Sequence, residues 1–250
     1  MHWEIYVCGD THWFDLYKDD AKKLDPNYWT ESQTLTKDDV LIQLGDFWYV
    51  WNTLWTNPKQ EKTLDKLASL NYTIAVVPWN HENYNEIFSL PEIEKWWNKV
   101  WELKRKTGSI YFLKRWEVYQ INWKTIFAIW WALSMDKWLR KENKEWWKLE
   151  YLTNKEIEKV LENTEKYKTK WVDYILTHTC PISIAKKLVE AWNAWKLKDE
   201  VAKLLEKVYE SWIKFKQWHF WHFHKDMIVY DKNNEAKFFC HYNNKPTRLE

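Results

Sequence analysis

The sequence predicts an α/β fold, in which buried strands alternate with helices and carry polar residues at their carboxyl ends. Short apolar runs alternate with helical patterns in the first third of the chain, which is typical of βαβ units in a mostly parallel sheet. The 250 residues suffice for one α/β domain with a large core. Because no repeat or Pro/Gly-rich boundary divides the chain, we expect a single domain over residues 1–250.

The predicted elements of the first third are strands at about 3–8, 39–44 and 72–77, and helices near 14–23 and 58–70. Three apolar runs then predict antiparallel strands of a second sheet: Ile110–Leu113, Glu117–Ile121 and Lys124–Ile129. Thr153 and Glu156 form a capping-box pattern for a helix through about Tyr167. The remainder predicts a helical region over about 182–212, broken around Trp192–Trp195, and strands near 215–220, 226–231 and 236–242.

Five short blocks of metal-binding residue types follow one another along the chain, each at or just past the end of an apolar run. They are Gly9-Asp10-Thr11-His12, Gly45-Asp46, Asn80-His81-Glu82, Thr177-His178 and His222-Phe223-His224. Because ligands of open α/β sheets collect beyond the carboxyl ends of strands, we expect the blocks to converge. Their carboxylates, amide and imidazoles predict a site for two divalent cations. Mixed nitrogen and oxygen ligands favour Mn, Fe, Zn, Co or Ni over Ca or Mg.

The order of these blocks resembles the signature of the calcineurin-like metallophosphoesterases, which runs D-x-H, G-D, G-N-H-E/D, a lone H, and G-H-x-H. The resemblance covers roughly the whole chain. The segment from Trp130 to Asp136 is also similar to a Gly-Gly-Ala-x-Ser-x-Asp segment in a bacterial and phage branch of that family. The resemblance implies a four-layer α/β/β/α sandwich, with two packed mixed β-sheets flanked by helices.

The resemblance also implies a reaction, namely hydrolysis of a phosphomonoester or phosphodiester by a metal-bridging hydroxide. Two cations about 3.5–4 Å apart clamp the attacking and leaving oxygens in such sites. The implied ligands of the first metal are Asp10, His12, Asp46 and His224, and those of the second are Asp46, Asn80, His178 and His222. Asp46 would bridge the metals, because it ends the second strand.

The implied substrate contacts come from Asn80, His81 and Arg140. His81 would stay off the metals and protonate the leaving alkoxide as a general acid, or stabilise charge on the transferring phosphoryl group. Its neighbour Glu82 is expected to fix the loop. Arg140 would either grip the phosphate or pair with Asp136 on a helix.

The composition departs sharply from that of an ordinary protein, with 23 Trp and only 3 Gly. Tryptophan stands where the family signature has glycine or next to its ligands, at Trp13, Trp79 and Trp221, and Trp123 occupies an Asn-Gly turn position. We therefore expect that many family glycines have been replaced by Trp. A bulky residue at positive φ costs on the order of 1–3 kcal/mol.

Two other functions compete with the phosphoesterase hypothesis. The first is a catalytically impaired metal-binding scaffold of the same fold, because indoles beside the ligands would narrow or block the site. The second is a Trp-rich module that stacks on sugars or bases, which leaves the ordered blocks unexplained. Protein serine/threonine phosphatases of this superfamily carry Asp-Arg-Gly where this chain has Tyr49, Val50 and Trp51, so that activity is not expected.

Charge and cysteine content narrow the partners and the compartment. The 38 basic and 36 acidic residues give no strong signal for nucleic acid, and a phosphate ester is the expected substrate. No apolar run approaches the roughly 20 residues of a membrane span, and no leader pattern opens the sequence. Three widely spaced cysteines suit a reducing compartment, so we expect a cytoplasmic protein; the sequence predicts no particular oligomeric state.

Overall fold

The protein is described by a computed structural model that covers residues 3–9, 11, 23–131, 134, 137–188, 200–223, 225–230, 237–242 and 245–250. Within these residues the chain forms a seven-stranded sheet and a six-stranded sheet, with helices beside them. This architecture confirms the predicted sandwich of two mixed sheets flanked by helices.

The seven-stranded sheet has the order β13-β1-β2-β3-β6-β5-β4. Its strands are β1 (Ile5–Cys8), β2 (Val40–Leu44), β3 (Thr73–Val77), β4 (Glu92–Lys95), β5 (Asn98–Arg105), β6 (Gly108–Leu113) and β13 (Thr247–Arg248). Strands β1, β2, β3 and β6 are parallel, whereas β13, β5 and β4 pair antiparallel with their neighbours. The central parallel strands are buried throughout, which explains their continuous apolar sequences.

The six-stranded sheet has the order β11-β12-β10-β9-β8-β7. Its strands are β7 (Glu117–Ile121), β8 (Lys124–Ala128), β9 (Val172–Leu176), β10 (Phe215–Phe220), β11 (Met227–Tyr230) and β12 (Lys237–Cys240). The inner strands β8, β9, β10 and β12 are parallel, and an antiparallel strand closes each edge.

The helices are α1 (Pro58–Ala68), α2 (Tyr84–Ser89), α3 (Asn154–Lys168), α4 (Ile182–Leu188) and α5 (Glu200–Glu210). Helix α1 begins where the Asn57 side chain accepts hydrogen bonds from two backbone N–H groups, with proline at the first helical position. Helix α3 begins with the predicted capping box, in which Thr153 and Glu156 each accept from the backbone of the other.

Alternating side chains of β8 enter two separate cores. Ile126 and Ala128 belong to the core between the sheets, whereas Phe127 and Ile129 belong to the core beneath α3, α4 and α5. Because successive side chains of a strand point to opposite faces, this alternation places the six-stranded sheet between the other sheet and these helices. Helix α1 contacts β3, β5 and β6 of the seven-stranded sheet.

One strand lies in a different sheet from the one expected. The run Ile110–Leu113 was predicted in the second sheet, but it belongs to β6, which pairs parallel with β3 in the first sheet. The prediction was wrong because an apolar run reveals a strand but not its partner. The actual second sheet starts at β7, after the chain leaves β6.

Some elements were missed and others cannot be compared. Helix α2 and strand β4 had no predicted counterpart, since both are short and β4 has only one apolar residue. The predicted helix near 14–23 and the break around Trp192–Trp195 lie outside the described residues, apart from Lys23. Among the described residues, no helix combines the length and apolar composition that a membrane span requires.

Candidate metal centre

Each of the five predicted blocks begins at or just after the carboxyl end of a parallel strand. The blocks follow β1, β2 and β3 in one sheet and β9 and β10 in the other. The described members are Gly9, Thr11, Gly45, Asp46, Asn80, His81, Glu82, Thr177, His178, His222 and Phe223, whereas Asp10, His12 and His224 lie outside the described residues. Contacts of the described members, or of residues next to them in the chain, connect all five blocks.

Thr11 connects the first block to the second. Its backbone N–H donates to the carbonyl oxygen of Asp46 at 3.1 Å, and its hydroxyl donates to the carbonyl oxygen of Phe47 at 3.2 Å. Thr11 is fully buried, so these bonds hold Thr11 itself against the loop after β2.

His178 connects the fourth block to the second. Its Nδ1 lies 2.8 Å from the carbonyl oxygen of Leu44, and a carbonyl oxygen can only accept, so Nδ1 carries the proton. The other ring nitrogen, Nε2, lies 3.8 Å from Oδ2 of Asp46. Metal-ligating histidines commonly bond one ring nitrogen to a backbone carbonyl oxygen in this way, which fixes the tautomer and the ring orientation.

The separation of His178 and Asp46 fits a shared cation. Metal–nitrogen and metal–oxygen distances are each about 2.0–2.2 Å, so one ion can contact two atoms that lie up to about 4.2 Å apart. The 3.8 Å between Nε2 and Oδ2 falls inside this limit. A carboxylate and a neutral imidazole are also suitable ligands for the transition metals that the sequence favours.

The fifth block lies against the fourth and the first. The backbone N–H of Trp221 donates to the carbonyl oxygen of His178 at 2.8 Å, and the rings of His178 and His222 are 5.2 Å apart between centroids. The Trp221 indole presses on Gly9, where an added Cβ would lie 2.6 Å from its ring atoms. Together with the contacts of Thr11 and His178, they connect the first, second, fourth and fifth blocks, which follow strands of both sheets.

Glu82 connects the third block to the second through its buried carboxylate. One oxygen accepts from the backbone N–H groups of Phe47 and Trp48, at 2.7 and 3.1 Å, and the other accepts from the N–H of Trp79. Burial raises the pKa of Glu82 to about 8, and nearby Asp46 adds to the rise while the three N–H groups oppose it. Glu82 therefore ties together the two loops that carry Asp46 and Asn80.

Asn80 and His81 are half-buried residues of the loop between β3 and α2. The imidazole of His81 stacks on the indole of Trp48, with ring centroids 4.1 Å apart and planes inclined by 22°. The indole of Trp79 stacks in a similar way on His178, at 4.5 Å. Two imidazoles of the site are therefore each covered on one face by an indole.

Asp46 and His222 both have left-handed backbone conformations, with φ of 52° and 55°. Such conformations are uncommon outside glycine and concentrate at functional sites. Gly45, just before Asp46, has a φ of 83°, and a Cβ there would lie 2.4 Å from Nδ1 of His178. Glycine at this position is what lets the imidazole approach the loop.

The remaining predicted residue, Arg140, donates from Nη1 to the carbonyl oxygen of Glu145 at 3.3 Å. Its predicted helical partner, Asp136, lies outside the described residues. No three His, Cys, Asp or Glu side chains within the described part of the chain are close enough together to hold a metal ion.

Gln43 supports the loops of the site, and it was not among the predicted site residues. Its side-chain amide donates to the carbonyl oxygen of Gly45, and it lies 3.4 Å from the Thr11 hydroxyl. It is fully buried within the otherwise apolar strand β2. A lone amide in a buried apolar run was the signal that could have revealed it, since buried polar groups need hydrogen-bond partners.

A family model described as calcineurin-like phosphoesterase matches residues 4–207. The chain belongs to the calcineurin-like phosphoesterase family. Membership confirms the predicted family, although the match ends before the fifth block, and assigns the chain to a group of metal-dependent phosphoesterases, which usually bind two divalent cations. Searching the curated proteins gives no match.

Two of the solved structures that match this chain have a low sequence identity to it. A phosphopantetheinyl hydrolase from Mycobacterium tuberculosis is 12% identical, with a TM-score of 0.42, over 95% of this chain and 88% of that chain. A protein of unknown function from Aquifex aeolicus is 13% identical, with a TM-score of 0.38, over 98% of this chain and 95% of that chain.

Proposed function

We propose that this calcineurin-like phosphoesterase hydrolyses phosphomonoesters or phosphodiesters at a dinuclear metal centre. The observation that carries the proposal is the contact of Asp46 and His178 across the two sheets, at a distance that one cation can span. The contacts of Thr11, Glu82 and Trp221 support it, because they connect the strand ends that the five blocks follow.

The ligand roles follow the family signature. Asp46 would be shared by the two cations; Asp10, His12 and His224 would complete the first set, and Asn80, His178 and His222 would complete the second. Mn, Fe, Zn, Co or Ni suits this mixture of nitrogen and oxygen donors. When bound, the two cations supply a nucleophile at neutral pH and neutralise charge on the phosphoryl group.

His81 acts on the leaving group in this proposal. Its neighbour Asn80 is a ligand, so the loop after β3 carries His81 next to the bound phosphoryl oxygens. There the imidazole donates a proton to the departing alkoxide, which contributes about 10²–10⁴-fold to the rate in comparable enzymes. Arg140 contributes to substrate binding in this assignment.

A second candidate function is a metal-binding scaffold with impaired catalysis. The stacking of Trp48 on His81 and of Trp79 on His178 favours it, because each indole covers one face of a ring that the reaction needs. Both candidates predict metal binding, so only turnover distinguishes them.

The experiment combines metal content with turnover. The purified chain is loaded with Mn²⁺, its metal content is measured by elemental analysis, and hydrolysis of p-nitrophenyl phosphate and its bis-ester is followed. The phosphoesterase proposal expects two ions per chain and turnover that Asp46→Asn abolishes. Two ions without turnover would instead support the scaffold.

Asp38→Asn is the matched control, because Asp38 is an exposed carboxylate before β2 and lies outside the five blocks. It should retain both the metal and the turnover. Failure of the unmodified chain to bind any metal would contradict both candidate functions.

A further inference from the structure

We propose that Trp48 occupies a position that the fold reserves for glycine, and that its indole shields His81 from the leaving group. The second half of this inference rests on the proposed role of His81. The first half rests on the backbone alone and stands without any assumption about the reaction.

The backbone of Trp48 has a left-handed conformation, with a φ of 60°. Among the described residues, eleven other than glycine have positive φ, and four of them are Asp46, Asn122, Asn143 and His222. Asp, Asn and His are the types that tolerate this region. The other seven are all tryptophan: Trp48, Trp55, Trp96, Trp97, Trp116, Trp123 and Trp212.

Several of these tryptophans occupy turn or helix-end positions at which glycine is the usual residue. Trp96 and Trp97 form the two-residue connection between β4 and β5, and Asn122 and Trp123 form the one between β7 and β8. Two-residue hairpins with positive φ at both positions favour Gly-Gly and Asn-Gly. Trp212 follows the end of α5, where a left-handed glycine commonly terminates a helix.

Packing does not account for tryptophan at positions 97 and 123. Trp97 and Trp123 expose 87% and 85% of their surface, so burial of the indole offsets little of the cost of the backbone conformation. Neither the backbone nor the core therefore selects an indole there. Glycine adopts this conformation without steric cost.

Trp48 differs from the exposed tryptophans because its side chain lies over a site residue. Its ring stacks on His81 at 4.1 Å and lies 5.4 Å from the ring of Trp51, which is itself 6.1 Å from His81. Its backbone N–H is held by the Glu82 carboxylate, so the strained residue is anchored in place. A glycine at position 48 would keep that hydrogen bond and uncover the imidazole.

The test compares Trp48→Gly with Trp48→Ala. Both variants remove the indole, but only glycine also removes the Cβ, so their difference measures the backbone preference. We expect urea unfolding to give an equilibrium constant for unfolding that is roughly five- to tenfold smaller for Trp48→Gly. Equal constants, or a more stable alanine variant, would overturn the assignment to a glycine position.

Shielding of His81 is measured by its rate of modification with diethylpyrocarbonate, read by peptide mass spectrometry. Both variants should react at least about threefold faster at His81 than the unmodified chain does. His178, which is almost fully buried, should remain slow and serves as the internal control. An unchanged rate at His81 would overturn the shielding, whether or not the protein hydrolyses phosphate esters.

Trp123 provides the same backbone test at an exposed hairpin, in case the loop of Trp48 does not tolerate substitution. The equilibrium constant for unfolding of Trp123→Gly should likewise be roughly five- to tenfold smaller than that of Trp123→Ala. The control is Trp138, an exposed residue of a 3₁₀ turn at Lys137–Leu139 whose φ is not positive. Trp138→Gly should be less stable than Trp138→Ala, because glycine has no advantage where φ is not positive. The opposite order would contradict the assignment of Trp123 to a glycine position.

Discussion

Nε2 of His178 and Oδ2 of Asp46 face each other across 3.8 Å from strand ends that belong to different sheets. Asp46 follows β2 of the seven-stranded sheet, and His178 follows β9 of the six-stranded sheet. A cation held between them, as proposed, would connect the two halves of the sandwich. Metal binding would then stabilise the packing of the two sheets, because a ligand that binds only the folded state stabilises it.

His178→Gln should weaken Mn²⁺ binding by at least about 10–100-fold, the range seen even for residues that merely support a ligand. It should also remove the rise in melting temperature that Mn²⁺ produces. Isothermal titration calorimetry and thermal unfolding with and without Mn²⁺ measure the two effects.

His81→Gln is the comparison variant, because His81 is assigned to the leaving group and not to a metal. It should bind Mn²⁺ like the unmodified chain while kcat falls by about 10²–10⁴-fold. Equal loss of metal in the two variants would show that His81 is a ligand and that the assigned roles are wrong.

At pH 9, above the Glu82 pKa of about 8, Glu82→Gln should lower the free energy of unfolding by about 1–3 kcal/mol. The carboxylate accepts three backbone N–H groups with its two oxygens, whereas an amide offers only one accepting oxygen. At least one buried N–H, from Phe47, Trp48 or Trp79, then loses its partner. Urea unfolding of the apoprotein measures the change.

Glu86→Gln is the matched control, since Glu86 accepts a single N–H bond from Leu54 at 3.0 Å. The amide oxygen of glutamine can take over that one bond. We therefore expect a loss below about 1 kcal/mol. Similar losses for the two variants would mean that Glu82 does not hold the loops together.

The strands that carry the site could be predicted because they are buried on both faces. Val40–Leu44 and Thr73–Val77 are continuous apolar runs, and the polar residues after them mark the strand ends. Strand β4 has the sequence Glu-Ile-Glu-Lys at a half-exposed edge, which gives no comparable signal. The pairing of β6 with β3 was not predictable either, since it depends on contacts between distant segments.

The contacts between the blocks depend on loop conformation, which the sequence does not specify. The motif contains Glu82, but nothing in its spacing places the carboxylate against the backbone of Phe47. The bond from His178 to Leu44 requires the two sheets to be packed first. The turn at Trp123, in contrast, was predictable from the sequence. An Asn-Gly turn position was predicted there, and Asn122 and Trp123 have φ of 48° and 67°.

A second pair of histidines, outside the five blocks, should contribute to the response of the fold to acid. Nε2 of His219 lies 3.0 Å from the amide oxygen of Gln217, so this nitrogen carries a proton and Nδ1 accepts. Nε2 of His241 then donates to Nδ1 of His219 at 2.8 Å. Both rings are buried and stacked, and an added proton would set two N–H groups against each other.

Burial lowers the pKa of His219 well below 6.5 and that of His241 to about 4, although nearby Asp226 partly opposes the latter shift. Between pH 6.5 and 4 the unfolded chain therefore binds protons that the folded chain does not. The contribution of the two histidines to the free energy of unfolding should therefore decrease as the pH decreases through this window. For His241 alone the decrease between pH 7 and pH 4.5 should be roughly 2–3 kcal/mol. Urea unfolding at several pH values, compared with His241→Gln, isolates the contribution, because carboxylates titrate alike in both proteins. The variant should lose less stability on acidification; parallel curves would show that His241 is not protonated on unfolding.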